Sequence, residues 1–302
     1  MEPMSVVETV TTITDAPEPG DAPSQPLVVL GLDATSTAAS MVEWAAQEAT
    51  TRGAVLQIVT CSAASCSAAA CTARQGQRLT EAIAATRQRH PLLSVDEVAI
   101  GLDTQDALVD GAASADLLLV GQSHLGAGTR RLLCSASGVA LRRRSCPVVA
   151  LRGHLRQPLR RIAVGIDDSN AAATALDWAA DEAERHGAEL VVIHAWQRSG
   201  QSLRDIDRDR GEVQRILDQA VDRCASRMGS AVSSELVDGQ PAAALAAASM
   251  GVDLIAVGSR GSSGFRTMLF GSVARFVLEE AHCPVAVIHP RVRIATHPAL
   301  DR

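Results

Sequence analysis

The chain is one unit written twice, and this duplication restricts its fold more than any other feature of the sequence. Near the start it reads Val29-Leu-Gly-Leu-Asp33, then Trp44-Ala-Ala, Glu48-Ala49 and Gly53-Ala54. Shifted by 134 residues, these features return as Ala163-Val-Gly-Ile-Asp167, Trp178-Ala-Ala, Glu182-Ala183 and Gly187-Ala188. Farther on the shift is 137: Asp116-Leu117 with Val120-Gly121 matches Asp253-Leu254 with Val257-Gly258, and Cys146-Pro-Val148 matches Cys283-Pro-Val285. The second copy has therefore gained three residues between these blocks. A length of 302 residues suits two domains, each able to bury its own core. The join falls near Arg152 to Pro158, a polar segment with Gly153 and Pro158. This places the first domain at 27–151 and the second at 159–290, with 1–26 and 291–302 as tails. The Pro-rich acidic run Asp15 to Pro26 marks the first tail as disordered. It lacks the basic start and long apolar centre of a secretory signal.

Within each copy, short apolar runs alternate with Ala-rich stretches of helical length, the pattern of successive βαβ units. In the second copy this predicts strands at about 160–167, 189–195, 231–237, 253–258 and 284–288, and helices at about 170–186, 203–228, 241–250 and 272–281. Leu254-Ile-Ala-Val257 is apolar on both faces, as a central parallel strand must be when helices cover both sides of the sheet. Right-handed crossovers then give a doubly wound α/β sheet, whose ligands bind beyond the carboxyl ends of the strands where strand order reverses. Asp167, the His194-Ala195-Trp196 exit and the loop after Val257 carry polar or glycine-rich chemistry at such ends.

That loop reads Gly258-Ser-Arg-Gly261-Ser-Ser-Gly264-Phe-Arg-Thr-Met-Leu-Phe-Gly271-Ser272. Glycines at 258, 261 and 264 are expected to reach positive φ, so that successive N–H groups converge on an anion. Gly271-Ser272 then opens a helix, whose unpaired N–H groups and macrodipole favour phosphate. The bland alternative is a turn-rich loop with Ser272 as an ordinary N-cap and Asp167 as a turn carboxylate.

Composition excludes several classes. A net charge of -6 lacks the cation excess of a general polyanion binder. With 2% aromatics and no Tyr, the platforms on which single-stranded nucleic acid stacks are missing, so a planar ligand is expected to lie in an aliphatic pocket. There is no run of 18 apolar residues to span a membrane, and the default location is cytoplasmic. Seven cysteines without C-x2-C pairs read as reduced thiols. Cys61, Cys66 and Cys71 recur every fifth residue, which on one helix would rotate them around the axis instead of stacking them.

The spacing G-x2-G-x9-G-S after a late strand, with Asp167 on the first, resembles the nucleotide-binding loop of the universal stress protein family. The resemblance covers nearly all of 27 to 290 as two tandem units. In the second it includes Gly165-Ile-Asp167, Trp178-Ala-Ala, Gly239-Gln-Pro241-Ala242, Asp253-Leu254, the glycine loop and Cys283-Pro-Val285. It implies two Rossmann-like domains of the adenine nucleotide alpha hydrolase-like type, each a five-stranded parallel sheet flanked by helices. It also implies ATP as cofactor, with Mg2+ as an accompanying cation. Asp167 would contact the adenine end and Ala195 would line the adenine pocket, while Gly165 would leave room for the nucleotide. Gly258, Gly261, Gly271 and Ser272 would cradle phosphates, with Arg260 and Gly264 in the same loop. Asp168 departs from the family, which usually has glycine there, and would repel phosphate if it pointed inward. The family's edge strands support dimers, which implies an internal pseudo-dimer or a homo-oligomer built on the final strands at Pro147 and Pro284. A role in survival under stress is likewise implied by resemblance.

The first copy departs further: His124 and Cys134 stand at two positions that are glycine in the second, although Asp33 and Ser135 remain. This copy is expected to bind ATP weakly or not at all. Between Leu117 and Ile166 there is no acid, while arginines occur at 130, 131, 142–144, 152, 156, 160 and 161. That stretch is either a surface for an acidic protein partner or a set of cations serving helix ends and the acidic second half. Lysine is absent, no G-x4-G-K-[ST] loop or G-x-S-x-G elbow occurs, and neither Arg260 nor Arg266 has an evident catalytic base beside it. The sequence therefore reads as a regulatory ATP binder with at most slow hydrolysis. A nucleotide-independent adaptor and a slow ATPase or phosphotransferase stay open beside it.

Overall fold

The computed structural model describes residues 25–32, 38–61, 69–100, 114–121, 146–196, 203–261 and 270–290. The first copy supplies β1 (Leu27–Leu32), α1 (Ala38–Arg52), β2 (Val55–Cys61), α2 (Ala69–Arg89), β3 (Val95–Ile100), β4 (Leu117–Gly121) and β5 (Val148–Leu151). The second supplies β6 (Arg161–Gly165), α3 (Asn170–His186), β7 (Glu189–Trp196), α4 (Leu203–Met228), β8 (Val232–Asp238), α5 (Pro241–Ala248), β9 (Leu254–Gly258), α6 (Ser272–Glu280) and β10 (Val285–Ile288). Elements of the second copy lie within two residues of their expected bounds. Helix α5 stops early because the buried Ser249 hydroxyl donates to the Ala246 carbonyl and accepts from the His282 N–H, turning the chain.

Each copy pairs its strands in parallel, in the orders β3-β2-β1-β4-β5 and β8-β7-β6-β9-β10. The final strands meet antiparallel, with Val285 opposite Ala150 and Val287 opposite Val148, so the whole is one ten-stranded sheet. This antiparallel seam is the internal pseudo-dimer contact expected from the family's edge strands. Gly153 just beyond it is one place where only glycine fits: its φ is 61°, and a Cβ there would stand 1.9 Å from the His282 carbonyl oxygen. His154 N–H then donates to that same oxygen at 2.9 Å.

Core strands such as β4, β5 and β10 are buried along their whole length, which explains their unbroken apolar composition. Helix α3 turns Ala171, Ala172, Ala175, Leu176, Ala179 and Ala183 to the sheet, the spacing of one helical face. Ser169 caps its N-terminus by accepting from Ala172 N–H, and Gly187 ends it at φ 62° in the left-handed region.

Helices α1 and α3 meet beside the seam through a buried charge cluster built from repeat-equivalent residues. Glu48 and Glu182 are equivalent, as are Arg52 and His186. Arg52 pairs with Glu48 and reaches Glu182 at 2.7 Å. His186 Nε2 lies 3.2 Å from Glu48 and 3.9 Å from Glu182, Arg185 lies 2.5 Å from Glu182, and Gln157 donates to Glu48. Two guanidiniums thus already neutralise two carboxylates. Burial pushes the His186 imidazole down to about 4 in spite of Glu182 beside it. Although Glu48, Glu182 and His186 bring their ligand atoms within 4.8 Å of one another, Arg52 fills the role of the cation.

The thiols described are buried and unbridged: Cys146, Cys224 and Cys283. Burial pushes Cys146 and Cys283 up to about 12, which makes them inert packing groups. Cys61 ends β2, Cys71 lies in α2 and Cys66 falls outside the described residues, so the three do not share one helix.

Candidate functional site

Strand order in the second copy reverses between β6 and β9, and a cavity of about 510 Å3 opens at their carboxyl ends. It is lined by Gly165, Asp167, Ala195, Gly258, Arg260, Gly261, Gly271 and Ser272, the residues that the sequence singles out, from four separate segments. Gly264 and Arg266 lie outside the described residues. Asp168 is exposed and stands outside the lining, so its carboxylate does not face the cavity.

The glycines are required for a different reason from the one expected. Gly258, Gly261 and Gly271 do not adopt positive φ; Gly271 sits at −68°. At Gly258 and Gly261 a neighbour approaches too closely for a side chain, whereas a Cβ on Gly271 would meet only ordinary contacts, the nearest at 3.5 Å. A Cβ on Gly258 would stand 2.8 Å from the Ala171 carbonyl carbon and 2.9 Å from the Ala172 nitrogen, in the backbone of α3. One on Gly261 would stand 2.8 Å from Asp167 Oδ2. Gly165 makes room for Leu245 of α5, whose Cδ1 would lie 2.5 Å from a Cβ, and not only for a ligand.

The loop is tied down at both ends, because Ser259 N–H donates to the Ile288 carbonyl and Gly271 N–H donates to the Ser259 carbonyl, each at 2.8 Å. Ser272 is the first residue of α6, not its cap; the N-cap is Gly271, which has no side chain to offer. Among the described residues, no N-cap side chain meets the first-turn N–H groups of α6, in contrast with Ser169 at α3. Asp167 does act as a turn carboxylate, since its Oδ1 accepts from Ser169 N–H at 3.0 Å, while Oδ2 faces the Gly261 segment. The turn and the cavity thus use opposite oxygens of one carboxyl group.

Among the described residues, several buried polar atoms here have no hydrogen-bond partner: Ser259 Oγ, Arg260 Nε, His194 Nδ1 and both ring nitrogens of His289. Unsatisfied buried groups are costly; of these residues, His194 and Arg260 line the cavity. Burial pushes His194 down, with Asp167 and Asp168 opposing it. Burial, reinforced by Arg260, holds His289 at about 4. Both imidazoles are therefore neutral near pH 7. His289 and Phe270, whose rings stack at 6.2 Å, were not legible as site residues. Phe270 lines the cavity, so its wall is not wholly aliphatic as expected.

The first copy shows a different arrangement at its equivalent strand end. A Cβ on Gly121 would meet Met41 Sδ at 2.7 Å and Leu32 Cδ2 at 3.0 Å, where the second copy presents helix backbone to Gly258. Asp33, His124, Cys134 and Ser135 lie outside the described residues. Of the acid-free stretch, Arg152 donates to the Leu278 carbonyl at the end of α6, Arg156 lies 3.8 Å from Asp253, and Arg161 lies 3.6 Å from Glu189 and 3.5 Å from Glu235. These three serve the second copy; residues 130–144 lie outside the described set.

A duplicated, doubly wound α/β chain with a cleft at the strand ends of its second copy is the class that this geometry defines. Residues 27–152 and 158–289 each match the Universal stress protein family. A universal stress protein of Mycolicibacterium smegmatis is 28% identical over 87% of this chain and 97% of its own length. One of Mycobacterium tuberculosis is 31% identical over 68% of this chain and 72% of its own. The chain belongs to the universal stress protein family. Among solved structures, a universal stress protein from Archaeoglobus fulgidus superposes with a TM-score of 0.59 at 19% identity, covering 88% of this chain and 97% of that one. A functionally unknown protein from Pseudomonas aeruginosa gives 0.65 at 14%, covering 88% and 93%. At such identities the likeness concerns the fold. Among the described residues, no helix is long and apolar enough to cross a membrane.

Proposed function

We propose that the second copy binds ATP and that the protein is a cytoplasmic regulator whose occupancy by nucleotide alters its conformation or association. The observation that carries this reading is the convergence of the described ends of the glycine loop, the Gly271-capped N-terminus of α6 and Asp167 on one cavity of about 510 Å3, a size suited to a small ligand. Asp167 and Ala195 take the adenosine end. Main-chain N–H groups at Gly258, Gly261, Gly271 and Ser272 hold the phosphates, with Gly264 completing the loop and Arg260 supplying positive charge. Mg2+, when bound with the nucleotide, would add charge neutralisation, and the Ser272 hydroxyl at the phosphate side is an oxygen donor of the kind it prefers.

Among the described residues of this site, none is placed as a general base against a water. His194 and His289 are held neutral, but His289 lies outside the cavity lining and His194 sits at the adenine end. The reading is therefore a binding protein with at most slow hydrolysis. Mass spectrometry of small molecules released from gently purified protein, native and Gly271→Asp, tests it. ATP from the native chain and none from the variant is expected. Equal occupancy in both overturns the pocket, and no nucleotide in either moves the assignment to a nucleotide-independent adaptor.

A further inference from the structure

Beside the nucleotide cavity lies a groove of about 400 Å3 between the start of α5 and the outer face of α6. The two share Pro241, Ser272 and Val273, so the groove begins where the cavity ends, at the phosphate side. The ATP reading leaves it unused.

Its walls carry a specific chemistry. Phe276 is 40% exposed there, in a chain with three Phe and no Tyr. An exposed aromatic face inside a groove offers a stacking surface to a planar group. Arg275 stands one turn from Glu279 at 3.9 Å, a solvent-screened pair that leaves the guanidinium available to an anion. Gln240 is the N-cap of α5 but makes no side-chain capping bond, so its amide contributes a donor and an acceptor to the groove wall. Glu279 adds a carboxylate able to accept from hydroxyl or amino groups. An aromatic face, an arginine, an amide and a carboxylate, adjoining a phosphate loop, match base, phosphate, base edge and ribose in turn.

We propose that this groove is a second nucleoside subsite and that the protein's ligands include dinucleoside polyphosphates. The proposal rests on the ATP reading for the first nucleoside. The phosphate chain continues past Ser272, Arg275 meets its far half, and the second base lies on Phe276.

Calorimetric titration of the full chain with ATP and with diadenosine tetraphosphate tests this, using the native protein, Phe276→Ala and Arg275→Ala. Two identical ends alone give a twofold advantage, whereas one added aromatic–base stack gives roughly tenfold. The expected result is diadenosine tetraphosphate bound about tenfold more tightly than ATP, with Phe276→Ala reducing that advantage to about twofold and leaving ATP affinity unchanged. Arg275→Ala reduces it as well. A native advantage of about twofold or less overturns the subsite, as does a larger one that survives Phe276→Ala. If neither nucleotide binds the native chain, the ATP reading itself has failed, an outcome distinct from failure of the groove alone.

Discussion

The two copies share a strand order and contribute equally to one seam and one charge cluster, yet they differ where β4 and β9 end. At β9 the backbone of α3 lies directly against Gly258, and position 175 carries only the methyl of alanine. At β4 the repeat-equivalent residue is Met41, and its sulfur stands between α1 and Gly121. A thioether thus stands at the first strand end where helix backbone stands at the second. The lesson is that a duplicated fold can keep its scaffold by preserving buried symmetry while its two strand ends are packed differently.

The largest effect separating the copies is in binding. Gly271→Asp places a carboxylate at the start of α6 and is expected to weaken ATP at least a hundredfold, measured by calorimetry, with the native chain binding one nucleotide. Two nucleotides per chain would break the contrast.

Where the copies are alike, damage to either is expected to cost the same. Glu182→Ala and Glu48→Ala each leave Arg52 buried with half its carboxylate partners, and each is expected to destabilise by about 3–5 kcal/mol in urea unfolding. Clearly unequal costs would show that the cluster belongs to one domain.

A smaller effect sharpens the contrast at the strand ends. Gly258→Ala forces a methyl against helix backbone and is expected to cost about 1–3 kcal/mol. Gly121→Ala meets side-chain ends that can turn aside, and is expected to cost less; a reversed ranking in thermal melts would remove Met41 from the explanation.

The last contrast is electrostatic and shows only as the pH changes. Arg52 remains charged at all ordinary pH, whereas its counterpart His186 titrates near 4 when folded and near its unperturbed value of about 6.5 when unfolded. The unfolded chain therefore binds the proton first. The contribution of His186 is full above about pH 6.5 and is lost as pH falls through about 4. Melting temperatures across that window are expected to drop less steeply in His186→Gln than in the native chain.

The sheet and its helices were legible because alternating apolar runs and Ala-rich stretches follow directly from burial on a parallel sheet. The residues that line the cavity were legible because glycine spacing and strand ends are local features. What could not be read depends on approach between distant segments. Gly258 and Gly261 look like residues that need unusual φ, but the contacts at Ala171 and Asp167 that exclude a Cβ lie about ninety positions away in sequence. His289 and Phe276 carry no motif. Glu48 and Glu182 did offer a signal, a recurring acid within an Ala-rich helix, whose burial only the packing of α1 against α3 reveals.

Closing β5 onto β10 removes from each half the strand that a lone unit would present to another molecule, and leaves β3 and β8 as the sheet's outer borders. Those borders carry Asp96 and Glu97 at one end and Glu235 and Asp238 at the other. Charged side chains along an outer strand are the usual device that opposes strand-to-strand stacking of a long open sheet.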